Sequence, residues 1–388
     1  MLYKRERPRA YSGRGMVGIR DWCRIGVLAC GVAAGLSMAG GHAALAQDAP
    51  AAREQPFDAW LQDLRTEALA KGIAQETLDT ALADVALIPR VIELDRKQPE
   101  FTQTYTDYLA ARVTEARITL GRKKVAEHLD ELRAVSEKYH VQPRFIAAIW
   151  GMETNYGSYM GNYSVIASLA TLAYDTRRST FFRKELLEAL EILDEGHTTA
   201  DAMKGSWAGA MGQSQFMPSS FLEYAQDFDG DGRRDIWGTT VDVFASIANY
   251  LAVHGWTDDH TWGRQVVLPT GFEAEREKLM PEKPPAACSR ALKVHTMAIP
   301  LPNWEALGVR GENGQALPNQ PALKASLVTM DDGKGPSYLT YPNFRAILSY
   351  NCSNFYALAV GHLADELEEA TRPVTARDEA NEAHTVKQ

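Results

Sequence analysis

The stretch from Pro143 to Gly157 constrains the fold of this chain most, because it predicts a buried helix that carries one carboxyl group. Pro143 suits the first turn of a helix, where its missing N–H would have no partner, and Gly157 supplies a stop. The apolar side chains that recur at helical spacing are Phe145, Ile146, Ile149 and Met152. They predict one buried stripe, and Glu153 lies on that stripe.

A carboxyl group on the core-facing side of a helix has unusual acid–base chemistry. Burial penalises the charged form and raises the pKa, which lets Glu153 keep its proton near neutral pH and donate it. The alternative is a structural Glu that turns to solvent at the helix end or pairs with an Arg, since such networks also perturb pKa values. Spacing by itself leaves both interpretations open.

The first 46 residues predict a secretory signal peptide. They combine seven Lys or Arg with two acids, a short apolar run over 25–36 and an A-x-A sequence at 44–46. We therefore expect a periplasmic protein whose leader is cleaved near Ala46/Gln47. Lipidation at Cys30 is not favoured, because only a few apolar residues precede that cysteine.

The charge of the exported part argues against nucleic acid as a partner. Removal of residues 1–46 takes away seven of 41 basic and two of 50 acidic residues, which leaves a net charge near −14. Phosphate backbones are bound by Lys and Arg, which are in the minority here. A polymeric substrate would instead be held by hydrogen bonds and by stacking on Tyr and Trp rings.

Two cysteines remain after the leader, Cys288 and Cys352. In an oxidising compartment such a pair predicts a disulfide that ties the segment before a β-rich region to the start of the last helix. Two buried thiols are the alternative, because the sequence does not show whether the Cα atoms come close enough.

Composition divides the exported chain into segments. The segments are a linker over 47–56, a helical domain over 57–140, a second helical part over 141–257, a Pro- and Gly-rich part over 258–349, a returning helix over 350–372 and a polar tail over 373–388. The short β-type runs lie at 265–268, 292–295, 325–329 and 338–341. They predict a small, mostly antiparallel sheet inserted into a helical protein.

Two further stretches contain residues suited to binding a ligand or a metal ion. From Lys204 to Ser220, small residues alternate with large apolar ones, which either lets the backbone approach a ligand beside Gln215 or packs helices tightly. From Asp227 onwards, acids occupy positions 1, 3, 5 and 9 of an EF-hand-like loop, with Gly at position 6. Position 12 is Gly238, so the usual bidentate Glu is missing. The loop predicts Ca²⁺ binding, and a solvated acidic turn is the alternative.

No common nucleophile or cofactor motif competes with Glu153. The chain has no G-x-S-x-G, H-E-x-x-H or P-loop sequence, and no G-x-G-x-x-G after a predicted strand. Glycosidases usually need a second carboxylate, and the nearest candidates, Asp175 and Asp194, lie outside the signature stretch.

Six motifs in the same order resemble the lytic murein transglycosylase B family, and together they span roughly residues 57–370. They are the stretches 149–157, 174–178, 207–220, 227–237, 248–251 and 350–357. The resemblance implies a mainly α (α+β) fold, with a lysozyme-like catalytic core over 141–257, a flanking helical domain and a small antiparallel β domain.

The resemblance also implies an activity on peptidoglycan. The family cleaves the β-1,4 bond between N-acetylmuramic acid and N-acetylglucosamine without water. One Glu, matched here by Glu153, protonates the glycosidic oxygen and then acts as base on the muramyl 6-hydroxyl, which gives a 1,6-anhydro product.

Further site residues are implied by matching the family motifs. The substrate-binding positions are Tyr108, Arg177, Arg178, Ser206, Gln215, Tyr250, Tyr350, Asn351 and Tyr356. The implied calcium ligands are Asp227, Asp229, Asp231, Asp235 and a late aspartate, Asp242. Calcium is expected to be structural, and the chemistry itself needs no cofactor.

Three other functions remain as alternatives. They are a muramidase of the same fold, a non-catalytic peptidoglycan-binding scaffold and, least favoured, a calcium sensor. The expected partners are peptidoglycan glycan strands and other cell-wall enzymes, and we expect a monomer. An unused buried acid would destabilise a scaffold, which favours the enzyme.

Overall fold

The computed structural model describes residues 55–97 and 103–371. The predicted signal peptide, its cleavage position near Ala46/Gln47, most of the 47–56 linker and the 373–388 tail lie outside the described residues. Among the described residues, no helix has both the length and the apolar character needed to cross a bilayer.

Helices dominate the described chain. In order they are α1 Phe57–Ala70, α2 Gln75–Ala81, α3 Pro89–Arg96, α4 Tyr105–Arg112, α5 Glu115–Glu127, α6 Leu129–Tyr139, α7 Pro143–Thr154, α8 Val165–Tyr174, α9 Ser179–Asp194, α10 Pro218–Tyr224, α11 Thr240–Val253, α12 Glu273–Lys278, α13 Ser289–Leu292, α14 Leu301–Ala306, α15 Pro342–Tyr350, α16 Asn354–Glu366 and α17 Glu368–Thr371. Proline opens α3, α7, α10 and α15, where a missing N–H costs no hydrogen bond.

The strands form two antiparallel sheets. They are β1 Tyr163–Ser164, β2 Lys204–Gly205, β3 Gly263–Val267, β4 Ile299–Pro300, β5 Arg310–Gly311, β6 Lys324–Thr329 and β7 Ser337–Thr340. The first two strands pair with each other, and the other five form a sheet in the order β4-β6-β7-β3-β5. The mainly helical α+β class with a small antiparallel sheet is therefore confirmed.

The hydrophobic interior has two parts. One continuous core joins buried residues of α1–α11 with those of α15 and α16, from Trp60 to Leu367. A second, smaller core lies inside the β domain around Leu301, Trp304 and Leu327. The helical segments 57–140 and 141–257 thus share one core. The β domain has a second core of its own, and Val328 and Tyr338 of its sheet pack into the larger one.

Helix α7 lies in the middle of the larger core. Every residue from Phe145 to Gly151 is buried, so the helix is covered on all sides and not on one stripe. It packs against α16, α11, α5 and α6. The helix ends at Thr154, because Asn155 and Tyr156 already adopt positive φ before Gly157 does.

Two predicted boundaries in the β region differ from the structure. The run 292–295 is not a strand: Leu292 closes the short helix α13, and His295 is buried against Asn354. The predicted β domain extends to 349, but α15 begins at Pro342 and packs on α11 and α16. Proline at the first helical position and the apolar face of this segment explain that change.

Cys288 and Cys352 form a disulfide, with their Cα atoms 5.1 Å apart. The bond joins the chain before α13 to the turn between α15 and α16. It therefore attaches the β domain to the start of α16, the helix that packs along α7.

Candidate active site

Glu153 lies in the last turn of α7 and faces a cleft lined by α16. Its side chain is half-buried, and the hydroxyl of Tyr356 donates a hydrogen bond of 2.6 Å to Glu153 Oε1. Ser353 caps α16 by accepting a hydrogen bond from the backbone N–H of Tyr356. The position of the donor is thus set by a capped helix end.

Burial decides the protonation state of Glu153. Desolvation raises the pKa of this carboxyl to about 7, although the Tyr356 hydrogen bond and the positive charge of Arg112 both lower it. The group can therefore hold a proton near neutral pH and also release it, as a general acid and base must do. A structural Glu paired with an Arg is not what the structure contains, since no Arg lies in ion-pair contact with Glu153 among the described residues.

Further tyrosines surround this carboxyl. The Tyr350 hydroxyl donates a hydrogen bond of 2.6 Å to the carbonyl oxygen of Ser214. The centre of its ring lies 4.8 Å from the centre of the Tyr250 ring. Burial first, and then the charge of Glu153, raise the pKa of Tyr350 and Tyr356. These phenols stay protonated and act only as hydrogen-bond donors or as flat apolar surfaces.

Tyr108 and Tyr250 occupy the two flanks of this group. The Tyr108 ring lies 5.5 Å from that of Phe355, next to Tyr356, and burial raises the pKa of Tyr108. The hydroxyl of Tyr250 donates 2.6 Å to the carbonyl of Ser349. The rings of Tyr108 and Tyr250 therefore pack in the same aromatic group as Tyr350 and Phe355.

The segment 206–217 forms a second wall of tight turns. The Ser206 hydroxyl oxygen accepts from the backbone N–H of Ala208 at 3.3 Å and of Ala210 at 3.0 Å, so its own proton remains for another acceptor. Gln215 has positive φ, and its amide nitrogen donates to the carbonyls of Met160 and Gly212. Among the described residues its amide oxygen has no protein donor, which leaves that oxygen as an acceptor.

Gln213, which the sequence analysis did not single out, joins three elements. Its Oε1 accepts a hydrogen bond of 2.8 Å from the indole N–H of Trp150 in α7. Its Nε2 donates a hydrogen bond of 3.0 Å to the carbonyl oxygen of Trp237. Its own carbonyl accepts 3.0 Å from the hydroxyl of Thr154, the residue after Glu153. Its partners are 24 to 63 positions away in the chain, so the sequence around Gln213 gives no signal for this role.

The two predicted arginines have a different environment from the one implied. Arg177 and Arg178 both form ion pairs with the buried carboxylate of Asp95 in α3. Neither contacts Glu153 or Tyr356 among the described residues. Asp95 lies 82 positions before Arg177, so only the tertiary structure could reveal the pair.

Asn351 follows α15, and its backbone N–H donates to the carbonyl of Ile347. Its carbonyl accepts from Ser353, the N-cap of α16. Asn351 is half-buried, and the structure gives its side chain no contact with Glu153.

The candidate second acids are held away from the site. Asp175 pairs with Arg96 of α3, and Asp194 accepts hydrogen bonds from the backbone of Ala74 and the hydroxyl of Thr77. Glu153 is therefore the carboxyl that the structure places in this cleft among the described residues. A reaction here must use one carboxyl for both proton transfers or draw on a group of the substrate.

The acidic loop brings together three of its five predicted ligands. Carboxylate oxygens of Asp227, Asp229 and Asp242 lie within 4.8 Å of one another. Asp231 instead pairs with Arg233, and Asp235 accepts from the backbone N–H of Trp237 and Gly238. Asp231 and Asp235 thus lie outside the cluster of three, and their part in binding a metal stays a prediction.

The donor set of this loop fits a hard cation such as Ca²⁺, which takes oxygen ligands. Asp242 is fully buried, and burial raises its pKa, although its oxygens accept from the backbone N–H of Phe228 and Asp235. Asp227 and Asp229 each bond to backbone N–H groups of the loop. Three like charges at such short separation repel one another unless a cation lies between them.

A comparison with protein families matches residues 56–365 to the transglycosylase SLT domain. The chain is 36% identical over 239 residues to membrane-bound lytic murein transglycosylase B of Escherichia coli (strain K12), an alignment that covers 61% of this chain and 60% of that relative. The match thus spans three fifths of the length of that protein.

Solved structures resemble the chain as well. SltB3 from Pseudomonas aeruginosa is 46% identical, with a TM-score of 0.75 over 82% of this chain and 81% of that one, and was solved with NAG-NAM-pentapeptide. The Escherichia coli lytic transglycosylase Slt35, solved with calcium, is 29% identical, with a TM-score of 0.64 over 82% of this chain and 94% of that one.

Proposed function

The chain belongs to the transglycosylase SLT domain family, as a lytic murein transglycosylase B-like member, and on this premise we propose that it cleaves peptidoglycan without water. The bond broken is the β-1,4 bond between N-acetylmuramic acid and N-acetylglucosamine, and the product is a 1,6-anhydromuramyl end. The observation that carries this proposal is the single half-buried carboxyl of Glu153, with a pKa of about 7 and a tyrosine donor on one oxygen.

Glu153 acts first as an acid. Its protonated carboxyl donates to the glycosidic oxygen while the bond from that oxygen to C1 of the muramyl residue breaks. The carboxylate that forms keeps the 2.6 Å hydrogen bond from Tyr356, which lowers the free energy of the charged state. The N-acetyl carbonyl of the substrate stabilises the positive charge at C1, so no second protein carboxylate is required.

Glu153 then acts as a base. The carboxylate accepts the proton of the muramyl 6-hydroxyl as that oxygen bonds to C1, which closes the anhydro ring and restores the acid. No water is consumed, and the proton count balances over the two steps. Ser206 and Gln215 offer a hydroxyl donor and an amide acceptor for the N-acetyl and hydroxyl groups of the sugar.

Calcium has a structural part in this proposal. Asp227, Asp229 and Asp242 would hold the ion, and Gln213 connects the end of that loop at Trp237 to α7. A bound cation would remove the repulsion among the three carboxylates and stabilise the loop. It lies outside the group of residues that touch the sugar, so it takes no part in the proton transfers.

The periplasm is the proposed location. The sequence of residues 1–46 supports it, and so does the substrate, since peptidoglycan is outside the cytoplasm.

The decisive experiment is mass spectrometry of the soluble products after incubation of purified residues 47–388 with peptidoglycan sacculi. We expect anhydro-muropeptides from the wild type and a rate at least about 10³-fold lower for Glu153→Gln, since general acid–base groups contribute 10²–10⁴-fold per step. Products that contain added water would move the assignment to a muramidase. Sacculi that are bound but left intact by the wild type would favour a scaffold.

A further inference from the structure

The corner between α4 and α5 brings two arginines beside the candidate active site. Arg112 ends α4, and Arg117 lies in the first turn of α5, where Thr114 caps the helix. Both side chains are half-buried. Among the described residues, neither guanidinium has an Asp or Glu oxygen within 4.0 Å, unlike Arg96, which pairs with Asp175.

Contacts place this arginine pair on one flank of Glu153. The Arg112 guanidinium lies 5.5 Å from the centre of the Tyr108 ring, which packs against Phe355, the neighbour of Tyr356. Arg117 donates a hydrogen bond of 3.3 Å to the side-chain oxygen of Asn155, which lies two positions after Glu153.

Arg117 also orients Arg112. One of its terminal nitrogens donates to the backbone carbonyl of Arg112, and the same nitrogen lies 4.0 Å from the sulfur of Met152. Arg117 thereby holds the end of α4 against the last turn of α7. We regard Arg117 as a positioning residue and Arg112 as the group that faces the cleft.

The electrostatics of the corner favour an anion. Burial and then the charge of Arg112 lower the pKa of Arg117, and the charge of Arg112 also lowers the pKa of Glu153. When Glu153 carries the proton that the first catalytic step needs, the corner holds two half-buried cations, and among the described residues no carboxylate forms an ion pair with either of them; Glu115, between them in the chain, is exposed. Half-buried like charges raise the free energy of the site unless an anion accompanies them.

The glycan itself cannot supply this anion. N-acetylglucosamine is neutral, and the lactyl carboxyl of N-acetylmuramic acid is consumed in the amide bond to the peptide stem. The stem, however, is joined through its N-terminus and keeps a free carboxylate. A guanidinium recognises a carboxylate with two parallel hydrogen bonds, which makes Arg suited to this group.

We propose that Arg112, positioned by Arg117, binds a carboxylate of the peptide stem and makes the enzyme favour strands whose muramyl residues carry peptides. This inference rests on the proposed function and deepens it. The sugar contacts come from Ser206, Gln215 and the tyrosines, whereas the stem contact comes from the α4–α5 corner.

Calorimetric titration of two ligands onto Glu153→Gln protein tests this assignment, because that background does not turn the ligands over. The ligands are NAG-NAM-pentapeptide and peptide-free NAG-NAM. We expect Arg112→Gln, added to this background, to weaken the pentapeptide about 10-fold or more and NAG-NAM less than about 2-fold, as hydrogen bonds to charged groups do. The pentapeptide affinity of Arg112→Lys should lie between those of the Arg112 and Arg112→Gln proteins, because Lys keeps the charge but loses the bidentate geometry.

The matched control is Arg122→Gln. Arg122 is on α5, the helix of Arg117, and forms an exposed ion pair with Glu366, so both affinities should stay unchanged. Equal weakening of both ligands by Arg112→Gln would overturn the proposal, as would no weakening of the pentapeptide.

Failure of this inference is distinguishable from failure of the proposed function. If wild-type protein releases no anhydro-muropeptides but the pentapeptide still binds through Arg112, only the catalytic assignment falls. If products appear and Arg112→Gln leaves the affinity ratio of the two ligands unchanged, only the stem contact falls. Melting curves identify a variant that has lost its fold, and Arg112→Lys then supplies the binding comparison.

Discussion

At the scale of single residues, the site depends on two opposing effects on Glu153. Burial favours the protonated carboxyl, whereas the Tyr356 hydroxyl and the Arg112 charge favour the carboxylate, and the balance leaves a pKa of about 7. A group at that value exchanges its proton readily in both directions near neutral pH. This suits a mechanism in which one carboxyl gives and then takes a proton.

The hydroxyl of Tyr356 should set the pH range of activity. Tyr356→Phe removes the donor to Glu153 Oε1, so the carboxylate loses stabilisation and the pKa of Glu153 rises further above its usual range. We expect kcat to fall about 10-fold to 100-fold, the equivalent of one hydrogen bond to a charged group, and the alkaline limb of the pH–rate profile to move to higher pH.

A pH–rate profile for anhydro-muropeptide release measures both effects. Tyr341→Phe is the matched control, because the Tyr341 hydroxyl accepts from Arg264 inside the β domain and is remote from Glu153. An alkaline limb that stays in place in Tyr356→Phe would contradict the role assigned to this hydrogen bond.

Stability should depend on pH through Glu153. Its pKa is about 7 in the folded protein and about 4.5 when unfolded, so the folded state binds more protons between these values. Stability is therefore fully present below pH 4.5 and is lost as the pH rises through 7. Glu153→Gln removes this titration and should gain up to about 3 kcal/mol relative to wild type above pH 7, with no gain at pH 4.

Thermal unfolding of both proteins at pH 4 and pH 8 measures this difference. Glu137→Gln, at an exposed position of α6, should give a difference from wild type that is the same at both pH values. A pH-independent difference for Glu153→Gln would show that its carboxyl is not desolvated.

At the scale of elements, the end of α7 is held by a hydrogen-bonded junction and not by packing alone. Three consecutive residues, Asn155 to Gly157, have positive φ, which reverses the chain immediately after Glu153. A Cβ on Gly157 would come within 2.4 Å of Gln213 Oε1, so this position needs glycine for space as well as for φ. Gln213 then links α7 to the loop that ends at Trp237.

Gln213→Leu should disconnect these elements. The change leaves the Trp150 indole N–H and the Trp237 carbonyl without their partner in a buried place, which we expect to destabilise the protein by about 2–4 kcal/mol. Because Trp150 lies one turn before Glu153, activity should fall at temperatures where the variant remains folded. Denaturant unfolding and product release at low temperature measure the two effects.

Asn343→Leu is the matched control for Gln213→Leu. Asn343 is also a fully buried amide, and it bonds to the backbone of Thr257 and His260 at the edge of the β domain. Its loss should cost similar stability while product release by the folded protein persists. If both variants lose activity in proportion to stability, the junction has no special effect on Glu153.

At the scale of the whole molecule, two cores organise the protein. The large helical core surrounds α7, and the β domain with its own smaller core is attached through the Cys288–Cys352 disulfide, through α15 and through sheet residues such as Tyr338 that pack into the large core. The acidic loop lies between α10 and α11 and is joined to the site through Gln213. The proposed catalytic and metal sites thus lie in different parts of one helical body.

Chelation should affect stability more than turnover. Removal of Ca²⁺ exposes the repulsion among Asp227, Asp229 and Asp242, and a ligand at 100 times its Kd stabilises the folded state by about 2.7 kcal/mol. We expect EGTA to lower the melting temperature by several degrees, with little change in product release at low temperature. A loss of product release at low temperature as large as the loss of thermal stability would mean that the ion supports the catalytic geometry itself.

The structure supplies a matched pair of variants for this test. Asp229→Asn removes one of the three clustered carboxylates and should abolish the response of the melting temperature to Ca²⁺. Asp231→Asn changes a carboxylate that pairs with Arg233 outside the cluster, and the response should persist. Loss of the Ca²⁺ response in Asp231→Asn as well as in Asp229→Asn would restore the ligand set expected from loop spacing.

The sequence by itself determined the helical class, the helix around Glu153 and the family, because periodicity and ordered motifs are local properties of the chain. It also predicted three of the four β runs that we named. It did not predict that Leu292 ends a helix and that a turn follows over 293–295. A short apolar run is compatible with a helix or a strand until its neighbours in space are known.

Only the tertiary structure decided which distant groups meet. Asp95 pairs with Arg177 and Arg178, Gln213 meets Trp150, and Asp242 joins Asp227 across a turn and the start of a helix. Arg112 and Arg117 of the α4–α5 corner, which form no ion pair among the described residues, likewise acquire meaning only beside α7. A pKa, an ion pair or a ligand set depends on what surrounds a side chain in space, and sequence spacing carries that information only within a few residues.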